Sequence, residues 1–157
     1  MTNDRHYKLI DQTTTAPDGS TLYRIRALRD LPWHGVKAGD LGGYVAGTHN
    51  LAGNGWVSDR GQVFGDADVS RRDHVLTISS ASSEGSHATL FRTADGGHLL
   101  IDGCWDGTTA DLRALADQDE WPSECDEQTR ERFRPVLVAV ADMCDAHMRA
   151  YEWGGVS

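Results

Sequence analysis

The chain lacks most of the signatures that announce a familiar chemistry. No nucleophile elbow, Walker loop, dinucleotide fingerprint or EF-hand loop occurs in its 157 residues. No apolar run approaches the roughly 18 residues of a membrane span, and no charged-then-apolar leader opens the chain. A soluble, unprocessed protein without membrane association is therefore expected. Cysteine is scarce and odd in number, with Cys104, Cys125 and Cys144 widely spaced. That pattern argues against a disulfide framework and fits a reducing cytoplasm. Positive charge is also short: 15 basic against 24 acidic side chains leave a formal net charge of -9. Such a chain repels polyanions at long range, so non-specific DNA or RNA binding is not expected. A local basic pocket for one small anion remains open. The acidity either keeps the protein soluble or imitates nucleic acid towards a basic partner.

What is present is a repeat. A branched apolar residue recurs every six positions at Val45, Leu51, Val57, Val63, Val69 and Val75, with a very small residue two places before most of them (Gly43, Gly55, Gly61, Ala67). A period of six is foreign to an amphipathic helix and too long for simple strand alternation. It predicts a short left-handed parallel β-helix of about two coils, in which each Val or Leu and its small neighbour face a narrow interior. Stacking residues one coil apart puts Tyr44, Ala46, Gln62 and Phe64 on one outer face and Trp56, Ser58, His74 and Leu76 on another. Asn50, Ala52, Asp68 and Ser70 occupy the third, which is expected to be solvated. The two apolar faces need covering by flanking segments or by another subunit, and a homotrimer is expected.

Around the repeat, the sequence predicts caps within a single domain, residues 1–157. Residues 7–40 read as a hairpin turning at Ala16-Pro17-Asp18-Gly19, followed by a lead-in loop. Residues 77–104 read as strands, with Asp95-Gly96-Gly97 as a tight turn. Residues 108–151 read as two helices, the first opened by Thr108 and Asp111 as a capping box. The second carries a stripe of Phe133, Val136, Leu137, Val140, Cys144, Met148 and Tyr151. The fold class expected is mainly β with C-terminal helices.

The order of these pieces resembles a group of phage and prophage hexapeptide-repeat proteins. The resemblance rests on residues 21–28, on Val36-Lys37-Ala38-Gly39-Asp40-Leu41-Gly42-Gly43-Tyr44-Val45, and on the hexads that follow. Gly85-Ser86 with Phe91-Arg92-Thr93, Gly103-Cys104-Trp105 with Gly107-Thr108, and the closing helix complete it. The chain departs from that group in having few hexads and a Ser-rich stretch at 77–85. The resemblance implies an accessory phage protein acting in the host cytoplasm, without an assigned reaction.

Enzyme chemistry finds little purchase in the residues. A zinc site of the hexapeptide-repeat type needs about three histidines converging from adjacent coils. The repeat offers only His49 and His74, in different registers. An acyltransferase needs a longer solenoid for its acyl carrier, with His49 the sole candidate base inside the repeat. No catalytic residue, cofactor or metal is assigned. For a small anionic ligand the candidates are Arg92, Ser86, His87 and Thr93, then Arg24 and Arg26, because Gly-Ser amides and a guanidinium suit an anion. On one strand Ser86 and Arg92 would stand about 20 Å apart, so they meet only after a bend or across subunits. The expected function is non-enzymatic binding that counteracts bacterial defence, by sequestering a small nucleotide signal or blocking a defence protein. A hexapeptide-repeat acyltransferase and a virion module are the alternatives.

Overall fold

The structure, a computed structural model, describes residues 5–58, 60–79, 87–102, 105–121 and 126–153. β1 (Tyr7–Thr15) and β2 (Thr21–Ala27) pair antiparallel. The chain reverses between them where the Gly19 amide donates to the Ala16 carbonyl, with Gly19 at φ +89°. Only glycine adopts that conformation without strain. A 3-10 turn at Pro32–His34 leads to β3 (Leu41–Val45), which lies antiparallel to β2 and parallel to β4 (Gln62–Val63). β5 (Val75–Ser79), β6 (His87–Arg92), β7 (His98–Asp102) and β8 (Trp105–Gly107) then form an antiparallel meander. Helices α1 (Thr109–Ala116) and α2 (Glu127–Ala150) follow. Among the described residues no helix is long and apolar enough to cross a membrane.

This architecture overturns the expected two-coil left-handed β-helix with hairpin and helical caps. The described strands make two four-stranded sheets, ordered β1-β2-β3-β4 and β5-β6-β7-β8, and every ladder except β3–β4 is antiparallel. Parallel pairing between residues eighteen apart is confined to Tyr44↔Gln62, Val45↔Val63 and the isolated bridge Leu51↔Val69. The physical reason is ladder length. Each hexad offers its neighbour a pair or two of residues, whereas the hairpins on either side offer long runs. Val75, the sixth residue of the repeat, accordingly opens β5 opposite Phe91.

The hexad residues are nevertheless inside. Val45, Val57, Val63 and Val69 are fully buried, and Leu51 nearly so. The small residues beside them are dictated by contact. A Cβ on Gly43 would lie 2.5 Å from the carbonyl oxygens of Gly61 and Ser58 and 2.7 Å from Val57 Cγ1. No real side chain tolerates such approaches to backbone, so glycine is required there. The chain itself covers the outward apolar groups: Phe64 packs edge-on against Phe91 at 5.6 Å, and Phe64 and Trp56 are both buried. These groups do not call for another subunit. Asn50 also departs from expectation, since it is completely buried rather than solvated. Its Nδ2 donates to the carbonyls of Gly65 (3.0 Å) and Ala67 (3.1 Å), and its Oδ1 accepts from the Gly47 amide.

The second sheet is buried on both faces, and strand alternation divides its side chains. Phe91 and Ile101 join Ile25, Val57 and Val63 in one core, whereas Ala88, Leu90 and Leu100 join Leu112, Leu137 and Met148 in another. Thr89 Oγ1 accepts from the Gln62 amide and ties β6 to β4. α1 starts at the Thr108–Asp111 capping box, and Asp126 caps α2 by accepting from the Thr129 amide. The α2 residues Leu137, Val140, Ala141, Cys144 and Met148 recur at three and four positions, so one stripe of the helix is buried.

Candidate functional site

Arg92 ends β6 at a cleft of about 380 Å³ whose walls include Ser70, Arg71, His74, Asp68 and Trp153. Three separate parts of the chain build it. The corner at 66–68 is held to the end of β6 because the Asp68 amide donates to the Arg92 carbonyl (2.9 Å) and the Ala94 amide to the Asp66 carbonyl (2.9 Å). The 3-10 turn Arg72–His74 supplies the second wall. The third is the end of α2, clamped onto that turn: Trp153 Nε1 donates to Asp73 Oδ2 (3.0 Å) and His147 Nε2 to the Asp73 carbonyl (2.8 Å). Trp153 stands edge-on to both His74 and His147.

The electrostatics of the cleft are set by two guanidinium groups and their partners. Arg92 contacts Asp68 at 3.3 Å, and Arg71 contacts Asp73 at 2.9 Å. Burial alone would raise the Asp73 carboxyl, but hydrogen bonds from Trp153 and Arg71 outweigh it and hold the group below the usual carboxylate range. His74 is held below its ordinary value, first by burial, with Arg71 and Arg92 adding to the effect against Asp73 and Asp68. His74 is therefore the neutral imidazole. Its Nδ1 accepts from the amides of Ser70 (3.1 Å) and Arg71 (3.2 Å), which leaves the proton on Nε2.

That arrangement decides what the cleft can do. Ser70 Oγ lies 3.4 Å from His74 Nδ1, the outline of a nucleophile beside a base. Two backbone amides already occupy the lone pair that would take the serine proton, so the pair is not competent for general-base catalysis. Cys144 offers no nucleophile either, because burial pushes its thiol up to about 12. Among the described residues no three His, Cys, Asp or Glu side chains converge to hold a metal. What remains is a cleft lined by the cations Arg71 and Arg92, the Ser70 hydroxyl and His74, with the carboxylates of Asp68 and Glu152 beside them. The guanidinium groups and the hydroxyl are donors suited to an oxyanion.

The other sequence candidates lie elsewhere. Thr93 is buried, and its hydroxyl donates to Asp95 Oδ1 (2.5 Å), where it braces the turn before β7. His87 opens β6, about 16 Å along the strand from Arg92, with its Nε2 near Arg60. Ser86 falls outside the described residues. Arg24 and Arg26 share a face of β2 in the first sheet. Arg24 Nε donates to the Gly42 carbonyl (3.0 Å), with its guanidinium over the Tyr44 ring, and Arg26 sits opposite Leu41. His49 is exposed, with Nε2 at 3.3 Å from the Gly65 carbonyl. The structure thus brings Arg92 together with Arg71, Ser70 and His74, none of which the sequence singled out as ligand residues. The available signal was Arg71-Arg72, a cationic doublet inside the repeat of a chain with net charge -9. No protein-family model matches the chain, and no curated protein or solved structure matches it.

Proposed function

We propose that this chain is a non-catalytic binding protein for a small phosphate-bearing ligand, taken up at the Arg71–Arg92 cleft. The observation that carries this reading is the convergence of the two guanidinium groups on one cleft with the Ser70 hydroxyl. The Arg92–Asp68 pair is partly solvated, the Arg92 side chain 25% and Asp68 45% exposed, and Arg71 is 57% exposed beside a more buried Asp73. Pairs of this kind contribute about 0–1 kcal/mol, so an incoming phosphate displaces Asp68 at small cost. A guanidinium–phosphate contact is bidentate and stronger. The saturated His74 supports binding rather than turnover. The ligand proposed is a small nucleotide signal of the host, sequestered so as to counteract bacterial defence.

Isothermal titration calorimetry against inorganic phosphate and a panel of linear and cyclic nucleotides tests the reading. Arg92→Ala and Arg71→Ala are each expected to weaken binding by roughly 1.5–3 kcal/mol, the range for a hydrogen bond to a charged group. Arg92→Ala should move the melting temperature little, because its ion pair is half in water. Absence of binding across the panel, or unchanged affinity in both variants, overturns the proposal.

A further inference from the structure

On the other side of the Arg72–His74 turn lies a second cleft, of about 450 Å³, which nothing so far described uses. Its most prominent wall is Trp33, a residue 55% exposed although the turn that presents it is held firmly. Pro32 opens that turn, and Gly35 closes it in the left-handed region at φ +68°. Leu31 and Val36 bridge its base, and His34 Nε2 donates to the Asn54 carbonyl (2.8 Å). A rigid, large apolar ring standing in water adds nothing to the core. In a cleft it is a stacking platform.

The residues lining the cleft carry both donors and acceptors, the two kinds of group a nucleobase edge pairs with. Because His34 Nε2 carries the proton given to Asn54, its Nδ1 is left as an acceptor, and Ser58 and Thr77 add hydroxyls that both donate and accept. Arg72 also lines the cleft and has no hydrogen-bond or ion-pair partner among the described residues. Arg71, its neighbour, faces the phosphate cleft. We propose that Trp33 stacks the base of a nucleotide whose phosphate is held at the adjoining Arg71–Arg92 cleft, with Arg72 between the two. This inference rests on the phosphate-binding reading above and narrows its ligand class to nucleotides. Selectivity among bases is weak, since every base has a ring face.

The test compares adenosine 5′-monophosphate with ribose 5-phosphate, which keeps the phosphate and lacks the ring, by calorimetry and by quenching of tryptophan fluorescence. The mononucleotide is expected to bind about tenfold to a hundredfold more tightly. Trp33→Ala should abolish that advantage, and Trp33→Phe should retain most of it. Equal binding of the two probes overturns the inference, as does an advantage that survives Trp33→Ala, or binding of neither probe. The two readings fail separately. A ring-dependent gain that persists in Arg71→Ala and Arg92→Ala supports the stacking site and removes the phosphate cleft. Phosphate binding with no ring contribution does the reverse.

Discussion

Asn50 offers the sharpest test of how the repeat is held together. Its amide sits at 0% exposure and stitches the Thr48–Asn50 turn to the carbonyls of Gly65 and Ala67. The neighbouring Asp68 amide holds the Arg92 carbonyl, so this stitch also braces the Arg71–Arg92 cleft. Asn50→Ala removes three hydrogen bonds, one to the buried Ala67 carbonyl and two at the partly buried Gly47 amide and Gly65 carbonyl. At about 1 kcal/mol for each bond the loss is about 3 kcal/mol. For a domain of this size that corresponds to a fall of roughly 6–12 °C in melting temperature. Asn50→Asp is nearly isosteric and should nevertheless be worse at pH 7. It keeps the acceptor for the Gly47 amide but sets oxygen against the carbonyl oxygens of Gly65 and Ala67, and it buries a charge. Such an aspartate has a raised folded-state pKa, so its deficit relative to wild type should narrow as pH falls. Urea unfolding followed by circular dichroism at two pH values measures all of this. An alanine variant within about 1 kcal/mol of wild type, or an aspartate variant as stable as the alanine one, would refute the reasoning.

Val63→Asp should abolish soluble expression, because Val63 is fully buried and the new charge meets no partner; a soluble, cooperatively folding variant would contradict the buried repeat. Gly43→Ala, which drives a Cβ against two backbone carbonyls, should cost about 1–3 kcal/mol by thermal melting, and an unchanged melting temperature would show that the 58–61 segment yields freely. Burial lowers the pKa values of His6, His74 and His98 from 6.5. Below 6.5 the unfolded chain binds more protons than the folded one, so stability is full above that value and declines as pH falls through it. Asp73 and Asp145, held below 3.8, add a second loss beneath that pH. Melting curves that stay flat between about pH 7 and pH 5 would contradict the histidine contribution.

Local features were legible in the sequence because short-range interactions produce them. The hairpin reversal before Gly19, the turn at Asp95-Gly96-Gly97, the Thr108–Asp111 box and the buried stripe of α2 each depend on residues within a turn or two of one another. The six-residue period likewise marked which valines are inside and where only glycine fits. It did not determine the sheets. Whether a hexad pairs with the next coil or with a hairpin depends on which backbone edges arrive beside it: β3 takes β2 on one edge and β4 on the other, whereas the last hexad residue, Val75, pairs with β6. Asn50 escaped for the same reason. Alternation assigned it to the solvated face, whereas the 3-10 turn swings its amide inward to carbonyls that only the fold supplies. The clefts lie furthest from what the sequence shows. Arg92 was visible as a cation, but its meeting with Arg71, and the closure of that wall by Trp153 from 80 residues beyond Asp73, are sums of contacts between distant segments. Propensity and pattern act over a few residues, so they determine the elements. The pairing of edges and the gathering of charge into a site are decided by the packed tertiary structure.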